Sequence, residues 1–378
     1  MSKYAEDGVN VNLGDEASKV AAGYCQQSYR NSPVASVVDT SNGNFRGPRG
    51  IQMNTDFDMS GCIWSCAPDG IGTKVVITDA AGLHQVSAFD MAAMTSFDLV
   101  RWGGLPVYMT SVLDVSSLGE SVNDKTFQAV LSLYRGLGDA AGQLGIILLN
   151  GETAELSSLV GSDNPSATVK YNWGGSVHGL YHQNRMITGQ NITEGQVIVA
   201  FQEIGFRSNG ISSVRKAFAM QFGDQWFSNS DAQQYIEQAA APSVLYDKLF
   251  IDANGWTGKN RINIHSLIHL TGGSFESKLG IDILFPLGLS AVLDDLWELP
   301  EIMKSCADWR GMTDRDLYET WNGGQGALAI IDESDVKQLI EMADNYGHSA
   351  RKVGRIIKQD TPEVIINSKY KGEEIRFG

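Results

Sequence analysis

No stretch of the 378-residue chain approaches the roughly 20 consecutive apolar residues that a membrane-spanning helix needs. The opening MSKYAEDGVNVNLGDEAS lacks both an apolar signal core and a cleavage-site pattern, so neither a membrane segment nor a leader is expected. Cysteine is scarce. Of the four, Cys62 and Cys66 lie close together, but no second pair or neighbouring His completes a zinc tetrahedron; Cys25 and Cys306 stand apart. Reduced thiols and a cytoplasmic location are the expectation. Basic residues are also in short supply, 29 Lys and Arg against 44 Asp and Glu for a net charge of -15, and they form no stripe. Nucleic acid is therefore excluded as the expected partner, because its affinity comes largely from cations meeting phosphates. No Ser-His-Asp order with a nucleophile elbow is present, and no short-period repeat or low-complexity segment.

What the chain does have is 43% hydrophobic and 19% charged residues, enough to bury a sizeable core, and a length that favours two domains. Strand-like and helix-like patterns alternate twice, with a join near Asn184, which gives an α+β fold of two domains, 1–183 and 184–378. TKVVITDA, apolar and β-branched, predicts a strand. DMAAMTSFDLVRWG predicts a helix capped by Asp90 and stopped at Gly103-Gly104. INIHSLIHLTGGSFESKLG predicts helix, turn, helix, with His265 and His269 four apart; packing or loop orientation suits them better than zinc. The tail SKYKGEEIRFG is expected to be loosely held.

The stretch CAPDGIGTK sets Asp69 between Pro68 and a Gly-x-Gly pair, with Thr73 and Lys74 following. Taken alone it is equally a plain turn or a thin backbone that lets a phosphate and its metal approach. The order of the polar turns along the chain is more informative. DGIGTK (69–74) precedes FD (97–98), LNGETAE (149–155), RSNGISSVRK (207–216), IHLTGGSF (268–275) and WNGGQGALAI (321–330). This series resembles the aminoimidazole ribonucleotide synthetase (phosphoribosylformylglycinamidine cyclo-ligase) family, whose runs are D-G-V-G-T-K, N-D, G-G-E-T-A-E, H-S-N-G-Y-S-L-V-R-K, H-L-T-G-G-G-F and F-N-C-G-V-G.

The resemblance implies two α/β domains: an amino-terminal ATP-binding and dimerisation domain forming a β-barrel shared across a homodimer, and a carboxy-terminal α/β domain. It implies ATP-dependent closure of an imidazole ring on formylglycinamidine ribonucleotide in purine biosynthesis, through an iminophosphate, with ATP and Mg2+. Asp69, Asp98 and Glu152 would hold the metal and, with Lys74, carry the catalysis. Gly70, Gly72, Thr73, Lys74, Asp98, Gly151 and Thr153 would bind ATP. Arg207, Ser208, Asn209, Gly210, Thr271, Gly272 and Gly273 would bind the ribonucleotide, although both of those last runs also suit plain helix caps.

The chain departs from the pattern at several places. Residues 43–61 are poorer in glycine than the family's nucleotide lid, and Arg46 and Arg49 could clamp phosphate there instead. Phe97 replaces an Asn, Arg207 a His and Ser274 a Gly. These changes bear on substrate identity more than on fold. The alternatives are another superfamily enzyme that activates an amide, carboxylate or phosphate, and a catalytically silent nucleotide-binding dimer.

Overall fold

The computed structural model describes residues 11–41, 47–258 and 261–378. Arg46 and most of the glycine-poor stretch's first residues lie outside them. The chain divides into two compact units, residues up to 99 with 105–184, and residues 100–104 with 185–378.

The first unit opens with helix α1 (Val11–Ser28) and the hairpin β1 (Ala35–Asp39) and β2 (Arg49–Met53). Strand β3 (Cys62–Gly70) then leads into a 3-10 turn (Gly72–Lys74), helix α2 (Val75–Ala80) and, after a second 3-10 turn (His84–Val86), helix α3 (Ser87–Val100). The strand predicted for TKVVITDA is thus a helix. Val76, Ile77, Thr78 and Asp79 are buried in succession, and so continuous a run of buried residues does not separate a short helix from a strand by pattern. Asp90 lies inside α3 rather than at its cap. Strand β4 (Leu105–Val115), helix α4 (Lys125–Leu144), strand β5 (Ile147–Glu155) and strand β6 (Tyr171–His182) follow. Helix α4 has full end signals: the Asp124 carboxylate accepts from the Thr126 N–H, and Gly145 closes the last turn at φ 76°.

Strands β3 to β6 form one sheet in the order β3-β6-β4-β5, with β4 and β5 parallel and the other pairs antiparallel. The sheet is open, with β3 and β5 at its edges, and among the described residues no sheet closes into a barrel. The shared barrel implied by the family resemblance is therefore corrected: four strands leave two edges apart.

The second unit is a seven-stranded mixed sheet flanked by helices. It contains β7 (Val197–Gln202), α5 (Ile211–Phe222), α6 (Gln233–Ala239), α7 (Asp247–Ala253), β8 (Ser266–His269), a π-helix (Phe275–Leu284) and β9 (Ser290–Leu293). After these come α8 (Glu301–Arg310), α9 (Asp314–Thr320), β10 (Gln325–Ile331), α10 (Val336–Asn345), β11 (Ala350–Ile357), β12 (Val364–Asn367) and β13 (Glu374–Phe377). The strand order is β13-β12-β9-β11-β7-β10-β8. His265 and His269 belong to this sheet edge and not to a helix; His265 Nε2 lies 3.0 Å from Asp332. The tail is held, because β13 pairs antiparallel with β12 and buries Ile375 and Phe377.

One close approach sets the entry to α3. A Cβ on Gly136 of α4 would stand 1.9 Å from the Gln85 carbonyl oxygen, so only glycine lets the helix meet the turn that precedes α3. Gly136→Ala would gain helix propensity in most helices; here it should lower stability by about 1–3 kcal/mol in chemical denaturation, through overpacking. An unchanged or raised denaturation midpoint would contradict that packing.

Candidate functional site

In the first unit the acid turn is built at the end of β3. Gly72, at φ 65°, lets the chain leave the strand and enter the 3-10 turn directly. Gly72 and Thr73 remain exposed. The Gly70 N–H donates to Asp69 Oδ1 at 2.7 Å. Although the Asp69 side chain reaches solvent, the surrounding walls push its carboxyl above the usual carboxylate range, and the charge of Asp98 pushes it the same way. Asp98, half-buried on α3, is thus near enough for its charge to reach Asp69.

Lys74 does not join them. It is fully buried and its ammonium donates to Asp90 Oδ1 at 2.8 Å, with neither side chain exposed. The expected triphosphate contact from Lys74 is thus replaced by an internal ion pair that ties the acid turn to α3, the helix that carries Asp98.

Glu152 is separated from the other two acids by the sheet. The register runs Asp69, Gly175, Ser111, Gly151 in one row and Gly70, Gly174, Val112, Glu152 in the next. Successive residues of a strand face opposite sides, so Glu152 leaves the face opposite to Asp69, three strand spacings or about 14 Å away. Among the described residues no three His, Cys, Asp or Glu side chains lie close enough to hold a metal. The structure therefore does not bring the three acids together: the charge of Asp98 reaches Asp69, and Glu152 stands apart. Gly151 and Thr153 also lie within β5 rather than on a loop beyond it, and the Thr153 hydroxyl is 2.7 Å from the Tyr134 hydroxyl.

In the second unit the two glycine-bearing runs are neighbours: Asn209 Oδ1 stands 3.6 Å from the place a Cβ on Gly272 would take. Gly210, at φ 67°, precedes α5 without a side-chain cap, and Gly273, at φ 78°, precedes the π-helix. Ser208, Asn209, Gly210, Thr271, Gly272 and Gly273 are therefore brought together. Arg207 is not presented to a ligand. It is buried at φ 56°, donating to Glu203 Oε2 at 2.7 Å, to the Val244 carbonyl at 3.2 Å and to His269 Nε2 at 2.9 Å. Because a guanidinium can only donate, that His269 nitrogen must accept. Arg207 thus ties the end of β7 to the end of β8, below both runs. Ser274, at φ 39°, donates its hydroxyl to the Trp321 carbonyl at 2.9 Å.

Two family models together match most of the chain. Residues 55–177 match the N-terminal domain of AIR synthase related proteins, and residues 193–367 match their C-terminal domain. The chain is a divergent AIR synthase related protein. Curated relatives include phosphoribosylformylglycinamidine cyclo-ligases of Oceanobacillus iheyensis, 26% identical over 94% of this chain and 97% of its own length, and of Staphylococcus epidermidis, 26% identical over 95% and 97%. Among solved structures, thiamine-monophosphate kinase from Stenotrophomonas maltophilia shares the fold at a TM-score of 0.56 and 14% identity, over 89% of this chain and 92% of that one. Hydrogenase maturation protein HypE in complex with ATP does so at 0.52 and 12%, over 90% of each. The chain spans about half the length of Thermotoga maritima PurL, solved with AMPPCP, covering 47% of it at a TM-score of 0.50 and 13% identity, over 93% of this chain. No helix among the described residues is long and apolar enough to cross a membrane.

The Asp69 carboxyl should titrate above its ordinary 3.8 in the metal-free protein. With the folded value raised, its contribution to stability is complete below 3.8 and is lost as pH rises through the folded pKa. Carbon-detected NMR titration checks this. Asp98→Asn should lower the value part of the way, since burial is the larger cause, and no change in that variant would mean the two acids do not sense each other.

Proposed function

We propose that this chain is an ATP-dependent enzyme that activates an oxygen of a small molecule (amide, carboxylate or phosphate) by phosphorylating it. Asp69 and Asp98 would hold the Mg2+ that accompanies the nucleotide. The observation that carries the proposal is the placement of Asp69, whose carboxyl is raised chiefly by burial and also by the charge of Asp98, on a Gly-x-Gly turn whose exposed Gly72 and Thr73 leave room for phosphate. Magnesium favours hard oxygen ligands, keeps several waters and needs only one or two carboxylates when phosphates complete its shell, so a pair of acids suffices where the sequence led us to expect three. A kinase and an ATP-bound maturation protein among the fold neighbours, and cyclo-ligases of similar length among the relatives, support the same chemistry.

In the activating step the substrate oxygen attacks the γ-phosphorus and the bond to the ADP oxygen breaks, so a poor leaving group becomes phosphate. Mg2+ held by Asp69 and Asp98 would supply charge neutralisation at the phosphate oxygens. The chain's part is positioning: Asp69 is aimed by the Gly70 N–H, and the acid turn is pinned by Lys74 and Asp90. The narrower candidate is cyclisation of formylglycinamidine ribonucleotide, in which a neighbouring nitrogen expels the phosphate to close the ring. Ser208, Asn209, Gly210, Thr271, Gly272 and Gly273 would bind that ribonucleotide, with Arg207 acting beneath them as a positioning residue. A homodimer belongs to the same proposal.

The test is Mg2+-dependent phosphate release from ATP with formylglycinamidine ribonucleotide, and with other amide, carboxylate and phosphate acceptors in parallel. Release should require an acceptor, and Asp98→Asn should reduce it by about a hundredfold or more with the fold retained. Release with the ribonucleotide and appearance of the imidazole product support the narrower candidate; release with another acceptor only supports the broader one. Nucleotide binding without release under any acceptor would leave a silent binder and contradict the enzyme proposal.

A further inference from the structure

In the second unit, the turn between α9 and β10 bonds to both glycine-bearing runs at once. Trp321 ends α9, its N–H donating to the Leu317 carbonyl at 2.8 Å, and it is 1% exposed. Its indole N–H donates to the Gly210 carbonyl at 3.2 Å, the same oxygen that accepts from the Val214 N–H at the start of α5. Its own carbonyl accepts from the Ser274 hydroxyl at 2.9 Å, one residue before the π-helix. One residue therefore spans Gly210 on the first run and Ser274 at the end of the second. Asn322 extends the clamp by donating its amide to the Gly205 carbonyl at 3.0 Å.

Three features separate this bridge from ordinary packing. The first is close contact. A Cβ on Gly210 would stand 2.5 Å from Trp321 Cδ1 and 2.7 Å from the Thr320 carbonyl oxygen, so the first run is pressed directly onto the end of α9. The second is strain. Among the described residues the non-glycines at positive φ are Ser157, Arg207 and Ser274; Arg207 begins the first run and Ser274 closes the second. Ser274, at φ 39° and ψ -124°, lies where glycine is favoured, and a serine stays there only when its surroundings hold it. Its hydroxyl bond to Trp321 is that hold. The third is residue type. Trp321 stands in place of the Phe in the family runs given above, and Ser274 in place of a Gly. Phe has no N–H and Gly no hydroxyl, so the bridge exists only because both positions depart from the pattern.

We propose that Trp321 is a positioning residue that locks the 208–210 and 271–273 runs into one preformed binding element for a phosphorylated ribose. The inference rests on taking those runs as the ribonucleotide site and adds what holds them in place. Two loops that moved separately would have to be ordered when the ligand arrives. The bridge orders them beforehand, and affinity gains what that ordering would otherwise cost. Cutting either end frees the runs, so cutting both should lose no more than cutting one.

The experiment is a double-mutant cycle on the full chain, read by calorimetry with formylglycinamidine ribonucleotide and with ribose 5-phosphate. Trp321→Phe keeps most of the ring and removes the N–H. Ser274→Gly removes the hydroxyl and relieves the strain, so both variants should fold. Each should weaken binding about fivefold, the loss of one hydrogen bond. The double variant should also lose about fivefold, not the roughly 25-fold of two independent contacts. Without ligand, hydrogen exchange at the Val214 N–H should quicken in Ser274→Gly, a change on the run that this substitution does not touch. Unchanged affinity in either single variant, additive losses in the double variant, or unaltered Val214 exchange overturns the inference. Binding of neither probe to the wild type removes the ribonucleotide assignment of the two runs and this inference with it. Wild-type binding with additive losses removes this inference alone and leaves the runs as the ribonucleotide site.

Discussion

Burying an ammonium and a carboxylate costs several kcal/mol per ion unless the two meet with good geometry, and Lys74 and Asp90 meet at 2.8 Å with neither side chain reaching solvent. The pair joins the 3-10 turn after β3 to the first turn of α3. Asp69 lies five residues before the lysine and Asp98 eight residues after the aspartate, so this contact governs how far apart the two acids can stand. Breaking it by removing one partner would leave a charge buried without its counter-ion, a far larger penalty than the pair's own net worth. A lysine that the sequence suggested for contact with phosphate is thereby used as scaffolding for the acids.

The second constraint is the register of the four-stranded sheet. It sets Asp69 on the edge strand β3 and Glu152 on the opposite edge strand β5, in adjacent rows. A period of two then sends the side chains to opposite faces. Under the proposed function, a cation would therefore have only Asp69 and Asp98 to hold it, and magnesium on a nucleotide draws most of its ligands from phosphate and water.

Much of the architecture could be read from residues. Helix α4 has its Asp124 cap, spaced apolar face and terminal Gly145, and β4 has its run of Val, Tyr and Thr; each carries a local signal strong enough to stand alone. TKVVITDA failed because buried helices and buried strands show the same continuous apolar pattern. The tail was misjudged because SKYKGEEIRFG is polar in composition, and its anchorage comes from pairing with β12, a contact made in three dimensions. At the site, the order of the polar turns located the acid turn and the two glycine-bearing runs. The burial of Lys74 and Arg207 was not legible, because nothing in a sequence shows that a cation's partner (Asp90 or Glu203) will be enclosed with it.

The proposed convergence of Asp69 and Asp98 on one cation, with Glu152 apart, is tested most directly by Mn2+ binding in the presence of AMP-PNP, followed by electron paramagnetic resonance. Asp69→Asn and Asp98→Asn should each weaken Mn2+ by about tenfold or more. Glu152→Gln should stay within about twofold of the wild type, as an exposed substitution away from the site does. Loss of Mn2+ in Glu152→Gln comparable to that in Asp98→Asn would contradict the two-acid site.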